Sequence, residues 1–201
     1  MEELNQRVPD NAVDRLVQAR EEYDDEVSPA YDDALQVIFD RATSQRCLGK
    51  ADIGSVVLWK RLNASSRWAK ALMVTPDEDV RAATGTALAC VTDTSCSIAE
   101  GAVNGRRALS AIPAFDRGDA LASAVLFVAA PTRMAVYDRR AQSGIEKLGL
   151  TLSAQRGRYG RYMGLVEQLA DAARRAGLQW LPRDVDIALY SLGRATGSSK
   201  P

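Results

Sequence analysis

The sequence predicts an all-α fold. Apolar residues recur at three- and four-residue steps along almost the whole chain, and strand-like alternation is scarce. The punctuation agrees, because Ser-Pro and Thr-Pro pairs open the periodic stretches and single glycines close them.

The first helix is expected over residues 11–24. Ser28 and Pro29 then supply a cap and a first-turn proline for a second helix ending near Gln45, and the two are expected to form a hairpin. After the break at Gly49, residues 52–62 read as a largely buried helix carrying Val56, Val57, Leu58 and Trp59. Thr75 and Pro76 start the next helix, with Asp77, Glu78 and Asp79 where the helix dipole favours negative charge. Its apolar stripe is Val80, Thr84, Leu88 and Val91. A polar loop over 92–97 leads into a helix over 97–110 that Gly101 and Gly105 weaken. Residues 119–129 form an apolar helix stopped by Pro131, and residues 138–148 form another closed by Gly149. A long amphipathic helix follows over 158–176, and the last helix runs over 183–192 to Gly193. The tail over 195–201, rich in Ser, Gly and Pro, is expected to be disordered.

At 201 residues and 46% hydrophobic content, the chain can bury a substantial core. The net charge is zero but unevenly placed. Residues 1–40 hold twelve acidic and three basic side chains, a charge of −9, and the remainder carries +9. This sets an acidic N-terminal helical arm over 1–46 apart from a basic body. The body can hold a phosphate backbone, and the arm either covers that surface, engages a protein partner or is a solvated face.

Cys47, Cys90 and Cys96 lack the Cys-x-x-Cys spacing of a zinc or redox site, which suits a reducing cytoplasm. No histidine is present, so serine and cysteine triads that need one are excluded, and no metal site or cofactor is expected. Acid–base work falls to carboxylates, lysine or tyrosine. The apolar runs are too short for a membrane span, and no leader pattern opens the sequence.

The segment over 108–150 carries the most chemistry. A turn at Ile112-Pro113-Ala114-Phe115-Asp116-Arg117-Gly118 joins two helices tightly, and the N-terminus of the second offers backbone amides to a phosphate. An ordinary helix connection gives the same pattern. An apolar helix, Pro131 and the run Val136-Tyr137-Asp138 come next, then a helix ending Lys147-Leu148-Gly149-Leu150.

This order resembles the helix-hairpin-helix DNA glycosylase superfamily, and within it bacterial proteins of the 8-oxoguanine DNA glycosylase fold. The likeness covers 108–150 best and extends to Gly193. It implies a glycosylase-like helical domain over 47–194, DNA as partner, a role in DNA repair, and Asp138 as the catalytic carboxylate that stabilises an oxocarbenium-like sugar. The alternative for Asp138 is an N-cap, or a partner of Arg139 or Arg140.

By the same resemblance Phe115, Arg117, Gly118, Arg139 and Arg140 belong to the DNA-binding set. Arg158 and Arg161, interleaved with Tyr159 and Tyr162, extend it as a basic and aromatic stretch. Trp59, Tyr137 and Trp180 are candidates for a base pocket, each with a core role as the rival reading. Ala114 and Asp116 stand where the family has hairpin glycines, and Gly118 stands where lyase members have their lysine. The expectation is therefore a monofunctional glycosylase that uses water, or a catalytically inactive binding module of the same fold.

Overall fold

The computed structural model describes residues 6–63, 65–115 and 118–194. Among these residues the only regular secondary structure is helical, with ten α-helices and two 3-10 turns. The helices are α1 (Ala12–Glu26), α2 (Asp33–Gln45), α3 (Lys50–Trp59), α4 (Arg67–Val74), α5 (Asp77–Thr92), α6 (Ile98–Leu109), α7 (Ala120–Ala129), α8 (Arg139–Lys147), α9 (Arg158–Arg175) and α10 (Pro182–Gly193). The 3-10 turns are Pro29–Asp32 and Pro113–Phe115. The tail expected over 195–201 lies outside the described residues. No helix among the described residues is long and apolar enough to cross a membrane.

Local chemistry explains most boundaries. Ser97 caps α6 by accepting from the Glu100 amide at 3.2 Å, and the Glu100 carboxylate accepts from the Ser97 amide at 3.1 Å, a reciprocal capping box. Ser28 accepts from the Ala30 amide at 3.3 Å, as its Ser-Pro sequence predicts. The helix it starts is only a 3-10 turn, and the α-helix begins at Asp33. Helix α4 was not expected. It has eight residues with Leu72 alone buried, while Met73 and Val74 are exposed, so its apolar residues carry no inward periodicity.

The centre of the molecule is α7. Every residue from Leu121 to Ala129 is buried, and α2, α3, α5 and α6 pack around it. The acidic segment set apart in the sequence packs on the same core. Ala12, Leu16 and Ala19 are buried at helical spacing on α1, and Leu35, Ile38 and Ala42 on α2. Helix α1 lies against α9 and α10, and its carboxylates line the opposite, solvated side.

The closest helix contact joins α8 to α10. A β-carbon on Gly144 would overlap the Leu189 carbonyl, and one on Gly193 would overlap the Arg140 carbonyl. The two backbones touch because neither position carries a side chain. Replacing Gly144 by Ala should therefore cost about 2–3 kcal/mol, the range for a rigid overpacked contact. Gly54, exposed within α3, has nothing within 4 Å of its missing β-carbon. Gly54→Ala should add about 0.5–1 kcal/mol. Urea unfolding of both variants tests the pair, and equal effects would contradict the assigned packing.

Candidate active site

The approach to Asp138 is not helical, yet Met134, Ala135, Val136 and Tyr137 are all buried. Such a segment must find partners for its backbone outside a helix. Asp186 accepts from the Val136 amide at 2.7 Å, and Ser123 Oγ accepts from the Tyr137 amide at 3.0 Å. Tyr159 donates to the Ala135 carbonyl at 2.9 Å, and Tyr162 donates to the Val136 carbonyl at 3.2 Å. Helices α7, α9 and α10 thus fix the non-helical segment that delivers Asp138.

Asp138 then serves two functions with its two oxygens. Oδ1 caps α8, accepting from the Arg140 and Ala141 amides at 2.7 and 3.0 Å. Oδ2 faces Lys60 Nζ at 3.6 Å. The N-cap reading of this residue is thus correct, and a second oxygen remains for chemistry.

Lys60 stands at the C-terminal end of α3, and its side chain is only 9% exposed. Burial pulls its ammonium below the ordinary lysine range, against the attraction of Asp138 and Asp186. The sequence places no lysine beside Asp138, because Gly118 stands where lyase members have theirs. In the structure Lys60 reaches Asp138 from α3.

Beneath this pair lies a second one. Arg183 Nη1 pairs with Asp186 Oδ1 at 2.8 Å, and Arg183 Nη2 reaches Asp32 Oδ2 at 3.4 Å. The guanidinium lies 5.4 Å from the Trp59 ring centroid and 5.1 Å from that of Phe127. Asp32 also accepts from Trp59 Nε1 at 2.8 Å, and Tyr31 donates to the Trp59 carbonyl. Burial pushes Asp186 up to about 6, against Arg183, the Val136 amide and Lys60.

These groups border an open cleft of about 1220 Å³. Its described lining holds seven cationic side chains against four carboxylates, so it favours anions. The hairpin supplies another edge through Ala114, Gly118 and Asp119. Gly118 has φ +73°, which a glycine adopts without strain. Asp119, at the start of α7, accepts from Arg106 Nε at 3.0 Å and Arg158 Nε at 2.9 Å. Asp119 is the N-cap residue of α7, but its carboxylate makes no hydrogen bond to the α7 amides and is held by the two arginines.

The residues proposed from the sequence divide clearly. Asp138, Gly118, Arg139, Arg140 and Arg158 all border the cleft. Arg139 and Arg140 are exposed, and Arg140 donates to Tyr190 Oη at 2.6 Å. Arg158 stacks 4.6 Å from the Tyr137 ring centroid. Phe115 is 1% exposed, so its side chain fills the core under the turn and does not reach the surface. Arg161 lies away from the cleft and donates to the carbonyls of Ser153, Gln155 and Arg156, closing the start of α9. Arg117 lies outside the described residues.

Trp59 and Tyr137 border the cleft but are 7% and 3% exposed, so most of each ring is packed. Trp180 is remote from it. The partly exposed rings at the cleft are Tyr23, Tyr31, Trp68 and Tyr190. The three tyrosines had no signal, because Tyr23 and Tyr31 sit in the acidic segment and Tyr190 in a closing helix.

Compared with family models, curated proteins and solved structures, the chain matches none. Function must therefore be argued from the cleft itself.

The Asp186 environment sets a pH dependence. Its folded value, about 6, exceeds its ordinary value of 3.8, so the protonated form favours the fold. That contribution is whole below about pH 4 and is lost as pH rises through about 6. The stability of the native chain relative to Asp186→Asn should fall by about 2–3 kcal/mol from pH 4 to pH 7.5. Urea unfolding of both proteins across this range measures it, and a constant difference would refute the assigned protonation.

Proposed function

We propose that the chain is a DNA glycosylase-like protein that excises a damaged or modified base in the cytoplasm, with Asp138 and Lys60 as the reacting pair. The observation that carries this reading is the buried Lys60 amine facing Asp138 Oδ2 at 3.6 Å in a cleft shared with the hairpin. The cationic lining suits a sugar-phosphate strand, and the partly exposed rings suit a base taken out of its stack. The order of turn, apolar helix and Asp138 supports the same reading.

Burial lowers the affinity of Lys60 for its proton and so makes its neutral amine easier to reach than that of an exposed lysine. That amine supplies the electron pair for a new bond to C1′ of the sugar. The N-glycosidic bond breaks, and the base leaves with its electron pair. The proton lost by the new ammonium passes through Asp138 to the departing base. Asp138 also offsets the positive charge that develops on the sugar. Ring opening then gives an imine that borohydride reduces to a stable amine. This replaces the water attack expected from the sequence alone.

A second reading has one observation in its favour: Asp138 is an N-cap, and capping alone could account for it. A binding module of this kind would hold DNA without turnover.

On a panel of oligonucleotides with damaged and modified bases, the native chain should cleave at least one and form a covalent adduct with borohydride. Asp138→Asn should slow cleavage by about 100-fold or more. Because asparagine also caps helices, that variant should keep α8 and remain folded, which thermal melting checks. Lys60→Met should abolish the adduct. Cleavage that persists in Lys60→Met assigns the attack to water, and no cleavage on any substrate leaves the binding module.

A further inference from the structure

Of the partly exposed rings that border the cleft, the three tyrosines are already engaged. Tyr31 donates to the Trp59 carbonyl, its ring leans on Trp59 with centroids 6.1 Å apart, and the Arg61 guanidinium lies 5.6 Å from its own centroid. Tyr190 accepts from Arg140 Nη1 at 2.6 Å, and the same guanidinium lies 5.1 Å from its ring centroid. Tyr23 meets Tyr190 edge to face at 6.2 Å and has Arg20 at 6.0 Å.

Trp68 differs from all three. Among the described residues no aromatic ring or cation stacks on it, and its indole N–H has no hydrogen-bond partner. An indole that is fully packed normally finds a partner for that donor. The ring of Trp68 is therefore the one cleft ring that the described residues leave without a stacking partner.

The fold explains why it stands there. Residues 68 and 72 are one turn apart on α4, so Trp68 shares the inward face with the buried Leu72. Helix α4 packs on the turn over Pro113–Phe115, and the indole lies partly against the core and partly along the cleft. Leu62, two residues beyond Lys60, and Ala114, within that turn, border the same cleft with apolar side chains. A base drawn out of its stack loses its neighbours on both faces and needs an apolar plane in their place.

We propose that Trp68 is the platform on which the extruded base stacks, and so the residue that distinguishes a base-bearing nucleotide from an empty sugar. This rests on the base-excision reading above and assigns the contact that holds its base.

The test uses the full chain and four fluorescein-labelled duplexes of about 25 base pairs. Three carry a single uracil, hypoxanthine or 8-oxoguanine nucleotide with fluorine on its 2′ carbon, which resists N-glycosidic cleavage. The fourth carries a tetrahydrofuran residue, a sugar without a base. Trp68→Leu keeps apolar bulk against the core but removes the aromatic plane, whereas Trp68→Phe keeps a plane. By anisotropy, Trp68→Leu should weaken the tightest of the three base-bearing complexes at least about fivefold and the tetrahydrofuran complex less than about twofold. Trp68→Phe should stay within about twofold of the native chain on both. Thermal melting verifies that each variant is folded. Equal losses on base-bearing and baseless duplexes overturn the proposal, as does unchanged binding by Trp68→Leu. Absence of binding to all four duplexes by the native chain instead overturns the underlying nucleic-acid reading.

Discussion

The ion pair between Arg183 and Asp186 is the interaction on which the cleft depends. Neither group could be buried alone, because an unpaired charge in the interior costs several kcal/mol. Arg183 satisfies two carboxylates and lies against two aromatic rings, while Asp186 also receives the Val136 amide. Through these contacts α10 holds the turn before α2, the end of α3, the central helix α7 and the segment that leads to Asp138. Removing either charge would leave its partner stranded where these elements meet.

The two cations of the site are held very differently. Arg183 has two carboxylate partners and two aromatic neighbours, whereas Lys60 has one carboxylate at 3.6 Å. Arginine also remains charged under all ordinary conditions, while a buried lysine readily gives up its proton. The structure therefore divides the work between a permanent charge that organises the floor and a labile one that faces the open cleft. Asp186 lowers the cost of burying both.

Most helices were legible because their buried residues repeat at helical spacing and their ends carry recognisable caps. Helix α4 was not, since Leu72 alone turns inward and the flanking apolar residues face solvent. The acidic segment misled for a related reason. Its charge describes only the outer face of α1, while the three buried residues of its inner face, Ala12, Leu16 and Ala19, are easily overlooked among twelve acidic residues. Asp138 could be found from its order after the hairpin and the apolar helix. Lys60 could not, because its partner is far away along the chain and only the folded packing brings them together. The same holds for Tyr23 and Tyr190, whose rings meet edge to face across the two ends of the chain.

That meeting has a temporal consequence. Helix α1 is synthesised before α10, with every other described helix between them. Until α10 emerges, Asp32 and Trp59 lack Arg183, the Val136 amide lacks its acceptor, and Tyr23 has no Tyr190 to pack against. The core around α7 can begin to collapse earlier, but the cleft cannot form in a nascent chain that lacks α10.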